Sequence, residues 1–153
     1  MDWERRGLKF SRDLRWLKPF VEAVDSIVPN IKNLNAIKKL GVKGNTKCRI
    51  AGVTIHSIYD DPCHRDTWEI YIYTEYNEIQ NLNKPPLKFK KRRYSKLDIL
   101  ATLAHELTHL HEWEHTPKRQ ILESKILIRF MELIEDQGYI SEEKEMKEWK
   151  RDE

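Results

Sequence analysis

Ser95-Lys96-Leu97-Asp98-Ile99-Leu100-Ala101-Thr102-Leu103-Ala104-His105-Glu106-Leu107-Thr108-His109-Leu110, continued by His111-Glu112-Trp113-Glu114-His115-Thr116-Pro117, decides how this chain is read. Ser95-x-x-Asp98 has the form of a capping box, in which the two side chains satisfy free amide donors at a helix start. A helix from about Lys96 follows. Ile99, Leu103, Leu107 and Leu110 then recur at i, i+4, i+8 and i+11, a stripe that buries one face. Thr116-Pro117 opens a new helix, with a cap residue followed by proline at the first helical position.

The same stretch holds four of the six histidines and an HExxH pattern. Residues four apart on a helix differ by ~40° in rotation and ~6 Å in rise, so His105 and His109 can present two imidazoles to one metal ion. Glu106 is turned ~100° from His105, where a carboxylate can hold a metal-activated water and take its proton. A catalytic zinc needs a third protein ligand and an open position. His115 is one candidate. On a continuous helix it would point ~240° around from His109 and ~9 Å beyond it, so it reaches the metal only if the helix breaks, and Pro117 disfavours helical backbone just before itself. Glu123 is the other, since a helical hairpin with its apex near Thr116 returns it to the level of His109. Spacing leaves the two open. His111, two positions from His109, faces elsewhere on an intact helix.

Working outward, Phe10, Leu14, Leu17, Val21, Val24 and Val28 have helical spacing that Pro29 should end, and Ile31, Leu34, Ile37 and Leu40 continue on a second short helix up to Gly41. From Lys47 to Ile58 the residues favour strand, Asp60-Asp61-Pro62 signals a turn, and Trp68 to Tyr73 alternates with period two. A small antiparallel sheet is expected. Asn77 to Pro86 reads as a loop leading into the basic run Lys88-Phe89-Lys90-Lys91-Arg92-Arg93. A third long helix runs from Pro117 to Gln137, with Gly138 as its stop, and Ser141 opens a charged surface helix. The expectation is one α+β domain over 1–153: N-terminal helices (1–41), a small mostly antiparallel sheet (46–74), the HExxH helix and ligand loop (95–115), and C-terminal helices (117–153).

Composition narrows the classes. Of 153 residues 39% are hydrophobic and 35% charged, enough for a real core in one domain of ordinary size. No apolar stretch approaches the ~18 residues of a membrane span, and no apolar segment follows Met1-Asp2-Trp3-Glu4-Arg5-Arg6, so a cytoplasmic location is expected. Cys48 and Cys63 allow one disulfide at most and show no CxxC spacing. His56 and Cys63-His64 flank the expected strands, where packing and turn roles account for them. A net charge of +3 is too small to identify a partner. The basic run, with Phe89 and Tyr94 beside it, can contact phosphates and stack bases, or lie as a solvated loop.

LAHELTHLHEWEHTP, at residues 103–117, resembles the core of the YgjP-like and WLM metallopeptidases within the SprT-like zincin group, with HELxH, five residues, then His; the likeness spans roughly residues 97 to 122. The resemblance implies Zn2+ on His105, His109 and His115, Glu106 as general base, and hydrolysis of a protein or peptide substrate. It also implies that a strand ahead of the active helix, Trp68–Tyr73, offers its edge to an extended substrate. Glu123 as third ligand would instead be the gluzincin arrangement of ImmA/IrrE-type peptidases. Two other functions fit the residues: a catalytically silent zinc-binding domain, against which Glu106 speaks, and a nucleic-acid-binding protein contacting DNA through Lys88–Arg93. SprT-like and WLM proteases include enzymes that degrade proteins crosslinked to DNA, so these roles can coexist.

Overall fold

A computed structural model describes residues 8–42, 52–57, 67–80, 85–86, 88–110 and 116–137. The expectations at Lys47 to Ala51, the Asp60-Asp61-Pro62 turn, Cys48, Cys63, His64, His111, His115, Gly138 and the helix from Ser141 lie outside these residues.

The fold is α+β. Its sheet is built from β1 (Lys9–Phe10), β2 (Leu34–Leu40), β3 (Gly52–Ser57) and β4 (Thr67–Tyr73) in the order β1-β2-β4-β3. β3 and β4 form the expected antiparallel pair, with Thr54 opposite Ile70 and His56 opposite Trp68. The sheet as a whole is mixed, not mostly antiparallel, because β1 joins β2 and β2 joins β4 in parallel. Of the residues read as a second short helix, Ile31 stands in a 3-10 turn over Ile31–Asn33, and Leu34, Ile37 and Leu40 belong to β2. One irregularity explains the misreading: between Leu34 and Ala36 the register advances two residues on β2 for one on β4. Leu34 and Ile37 therefore both point inward, and a strand acquires a three-residue apolar step that mimics a helix.

The first helical segment is also divided. Phe10 lies in β1, Arg12–Leu17 is a 3-10 turn, and only Lys18–Ala23 is α-helix (α1). Pro19 is the cause, since without an amide hydrogen it suits a helix start and not its interior. The apolar spacing still reports burial: Leu14, Leu17, Phe20, Val21 and Val24 are all inaccessible to solvent.

Helices α2 (Lys96–Thr108) and α3 (Pro117–Gln137) follow the expected bounds. Ser95 Oγ accepts the Asp98 amide at 3.1 Å, and Thr116 Oγ1 the Arg119 amide at 3.3 Å, so both starts are capped as their sequences require. Ile99, Leu103, Leu107 and Leu110 are buried, and the Phe20 and Phe130 rings meet edge to face at 5.5 Å where α1 touches α3. Trp68, Ile70 and Ile72 point from β4 into the same core. On the sheet's other face Val53 and Ile55 are exposed.

The basic run is a strand, not a loop. β5 (Glu75–Ile79) and β6 (Phe89–Arg93) pair antiparallel, which also replaces the first part of the loop expected over Asn77 to Pro86. Charge complementarity makes a strand from a run with almost no apolar residues: Lys91 reaches Glu75 at 3.2 Å and Arg92 reaches Glu78 at 3.4 Å. Among the described residues no helix is long and apolar enough to cross a membrane.

β3 lies hard against α2 at Gly52. A Cβ there would stand 2.8 Å from Thr102 Cγ2, 3.0 Å from the Tyr71 carbonyl oxygen and 3.1 Å from Glu106 Cγ. Gly52→Ala should therefore cost about 1–3 kcal/mol in urea unfolding. Gly41→Ala, where nothing lies within 4 Å, should change stability by less than about 0.5 kcal/mol.

Candidate metal centre

The last two turns of α2 are buried nearly all round, from Thr102 to Thr108. His105 and Glu106 are only 6% and 3% exposed, so each polar atom needs a partner inside the protein. His105 and His109 turn their Nε2 atoms toward each other, 3.3 Å apart. That separation can be compared with a metal's demand: two nitrogens at ~2.0–2.1 Å from one tetrahedral ion stand ~3.3–3.4 Å apart. The two imidazoles are spaced to share one ion.

α2 ends at Thr108, directly before His109. His109 caps the helix in helical conformation, and the His109 and Leu110 amides bond back three residues, to Glu106 and Leu107. Asn30, held at φ 64°, donates from Nδ2 to the Leu110 carbonyl at 2.8 Å and ties down the chain as it leaves. α3 begins at Pro117. His115 lies outside the described residues. Among the described residues no three His, Cys, Asp or Glu side chains form a metal-holding group.

Glu123 meets His105 at the other ring nitrogen. Its Oε1 is 2.9 Å from His105 Nδ1, the ring nitrogen facing away from His109. A carboxylate on that nitrogen orients a metal-binding imidazole from behind. Arg119, one turn earlier on α3 and 4% exposed, places Nη1 3.0 Å from the same Nδ1, 3.9 Å from Glu123 Oε1 and 2.8 Å from Thr108 Oγ1, to which it donates. Thr108 in turn donates to the His105 carbonyl at 2.5 Å.

Glu106 meets β3. Thr54 Oγ1 donates to Glu106 Oε1 at 2.7 Å, with the Glu106 main-chain oxygen 3.2 Å away. Burial pushes the Glu106 carboxyl above its ordinary value, opposed by the Thr54 hydrogen bond and the Arg119 charge, with the Glu123 charge adding to the rise.

Reading the sequence located His105, Glu106 and His109 but missed Thr54 and Arg119, and it weighed Glu123 only as a ligand. Arg119 and Glu123 carry one legible signal, an i, i+4 charge pair on α3. Thr54 carries none, because its meeting with Glu106 spans 52 residues of chain. Trp68–Tyr73, expected to offer an edge, is flanked on both sides by β2 and β3; among the described residues the strand at the sheet's edge beside the site is β3. His56 stacks on Trp68 with ring centroids 3.7 Å apart, the packing role its position suggested. A cavity of about 280 Å³ bounded by Asp13, Trp16, Lys39, Glu75, Arg93 and Lys96 lies at the opposite end of α2 and includes none of the site residues.

Compared with protein-family models, curated proteins and solved structures, the chain matches none.

The raised Glu106 carboxyl has a sign that can be measured. The folded chain holds this proton to higher pH than the unfolded chain, so stability is full below the ordinary carboxylate range and falls as pH rises through and above it. In metal-free protein, Glu106→Gln removes the buried charge while keeping an acceptor for Thr54. Its melting temperature at pH 8 should exceed wild type by about 2–4 °C for each kcal/mol relieved. The gain should vanish near pH 4.

Proposed function

We propose that this chain is a zinc-dependent peptidase of the SprT-like zincin group, with His105, His109 and His115 as the protein ligands and Glu106 as the general base. The 3.3 Å approach of the His105 and His109 Nε2 atoms, next to a buried carboxylate on the same helix, carries the reading. Zinc, when bound, supplies a Lewis acid that brings the ionisation of water down to ~pH 7. The chain's own residues do the rest. Glu106 accepts the proton of the attacking water and returns it to the leaving amine. Thr54 holds that carboxylate at one oxygen, and burial excludes bulk water from competing for it. β3 runs past the base at the edge of the sheet, which supports an extended peptide pairing there through main-chain hydrogen bonds, with Thr54 on the strand's inner face.

Nucleic-acid contact through Lys88–Arg93 has less support, because two of the five cations already face Glu75 and Glu78 on their own hairpin.

Chelator-stripped protein should take up one zinc on reconstitution, and His105→Ala with His109→Ala should abolish that uptake. Glu106→Gln should retain zinc and lose at least ~100-fold in cleavage of a fluorescently labelled unfolded protein. Zinc uptake indifferent to both histidines would end the proposal. Zinc uptake with no cleavage by wild type would leave a silent zinc domain.

A further inference from the structure

His105 Nδ1 has two neighbours that make opposite demands. Glu123 Oε1 at 2.9 Å can only accept, so it requires a proton on Nδ1. Arg119 Nη1 at 3.0 Å can only donate, so it requires a lone pair there. A neutral imidazole carries one proton, and whichever neighbour wins fixes the state of the other nitrogen. With the proton on Nδ1, Nε2 is bare and points at His109. With the lone pair on Nδ1, Nε2 carries hydrogen and cannot bind a metal.

We infer that Glu123 sets the tautomer of His105 against Arg119, and so acts as a positioning residue for the metal site. The inference rests on the reading that His105 binds metal through Nε2. The surrounding bonds favour Glu123. Arg119 Nη1 has a second acceptor, Thr108 Oγ1 at 2.8 Å, whose own proton goes to the His105 carbonyl. Arg119 Nη1 therefore has an acceptor without the ring, whereas its charge 3.9 Å from Glu123 Oε1 draws that carboxylate into place. Both residues come from the first two turns of α3, four apart, so one helix face delivers the orienting anion together with the cation that opposes it.

The arrangement predicts a suppression that a purely structural role would not show. In Glu123→Ala, Nδ1 is left to Arg119, His105 turns to the Nε2–H form, and zinc binding should weaken about 10–100-fold. Removing the opposing donor as well, in Glu123→Ala/Arg119→Met, should recover part of that loss. Glu123→Gln keeps an accepting oxygen and should stay within about threefold of wild type. The tautomer is read directly from long-range proton–nitrogen spectra of metal-free protein at pH 8, and zinc affinity by competition with a chelating dye. Wild type and Glu123→Gln should show Nδ1–H at His105, and Glu123→Ala should show Nε2–H. Persistence of Nδ1–H with unchanged zinc affinity in Glu123→Ala would overturn the inference, as would a double variant that binds zinc more weakly than Glu123→Ala. If the tautomer shifts as expected in a chain that takes up no zinc, the control of His105 by Glu123 stands and the peptidase reading alone falls.

Discussion

Burying the end of a helix that carries ionisable side chains imposes a demand that the rest of this molecule meets. Every polar atom taken out of water must find a partner or cost several kcal/mol. α2 brings His105, Glu106 and Thr108 into the interior together, and each is answered from a different part of the chain. Thr54 of β3 answers Glu106, and Arg119 and Glu123 of α3 answer Thr108 and His105. The close fit at Gly52 belongs to the same requirement, since Thr54 reaches Glu106 only if β3 lies flush against the helix. A site built this way is rigid because its partners are shared. Thr108 bonds to both Arg119 and the His105 carbonyl, so a shift in one group is felt by the next.

Local chemistry was legible in the sequence, and long-range chemistry was not. Ser95 and Thr116 announced helix starts because a cap is a relation between residues three apart, and both caps form. His105, Glu106 and His109 could be found because four-residue spacing on a helix is a distance. β2 was lost for the converse reason. Its one-residue irregularity shows only against β4, thirty-odd residues away, and without that partner a three-residue apolar step looks helical. Likewise the charges of Lys88–Arg93 read as solvation until Glu75 and Glu78 lie opposite them. Thr54 illustrates the limit: an ordinary threonine in a strand gives no hint that a buried carboxylate will meet it.

Sheet order has a consequence for how the chain is made. β4 lies between β2 and β3 yet follows both in sequence. While the polypeptide is being synthesised, β2 and β3 emerge before the strand that joins them, leaving a gap one strand wide with unpaired amides and carbonyls on either side. Parallel pairing of β2 with β4 cannot start until residues 67–73 have cleared the ribosome, and Thr54 cannot be carried to Glu106 until more than thirty further residues have followed. A nascent chain in which β3 has cleared the ribosome and β4 has not is thus the species most open to pairing with a neighbour.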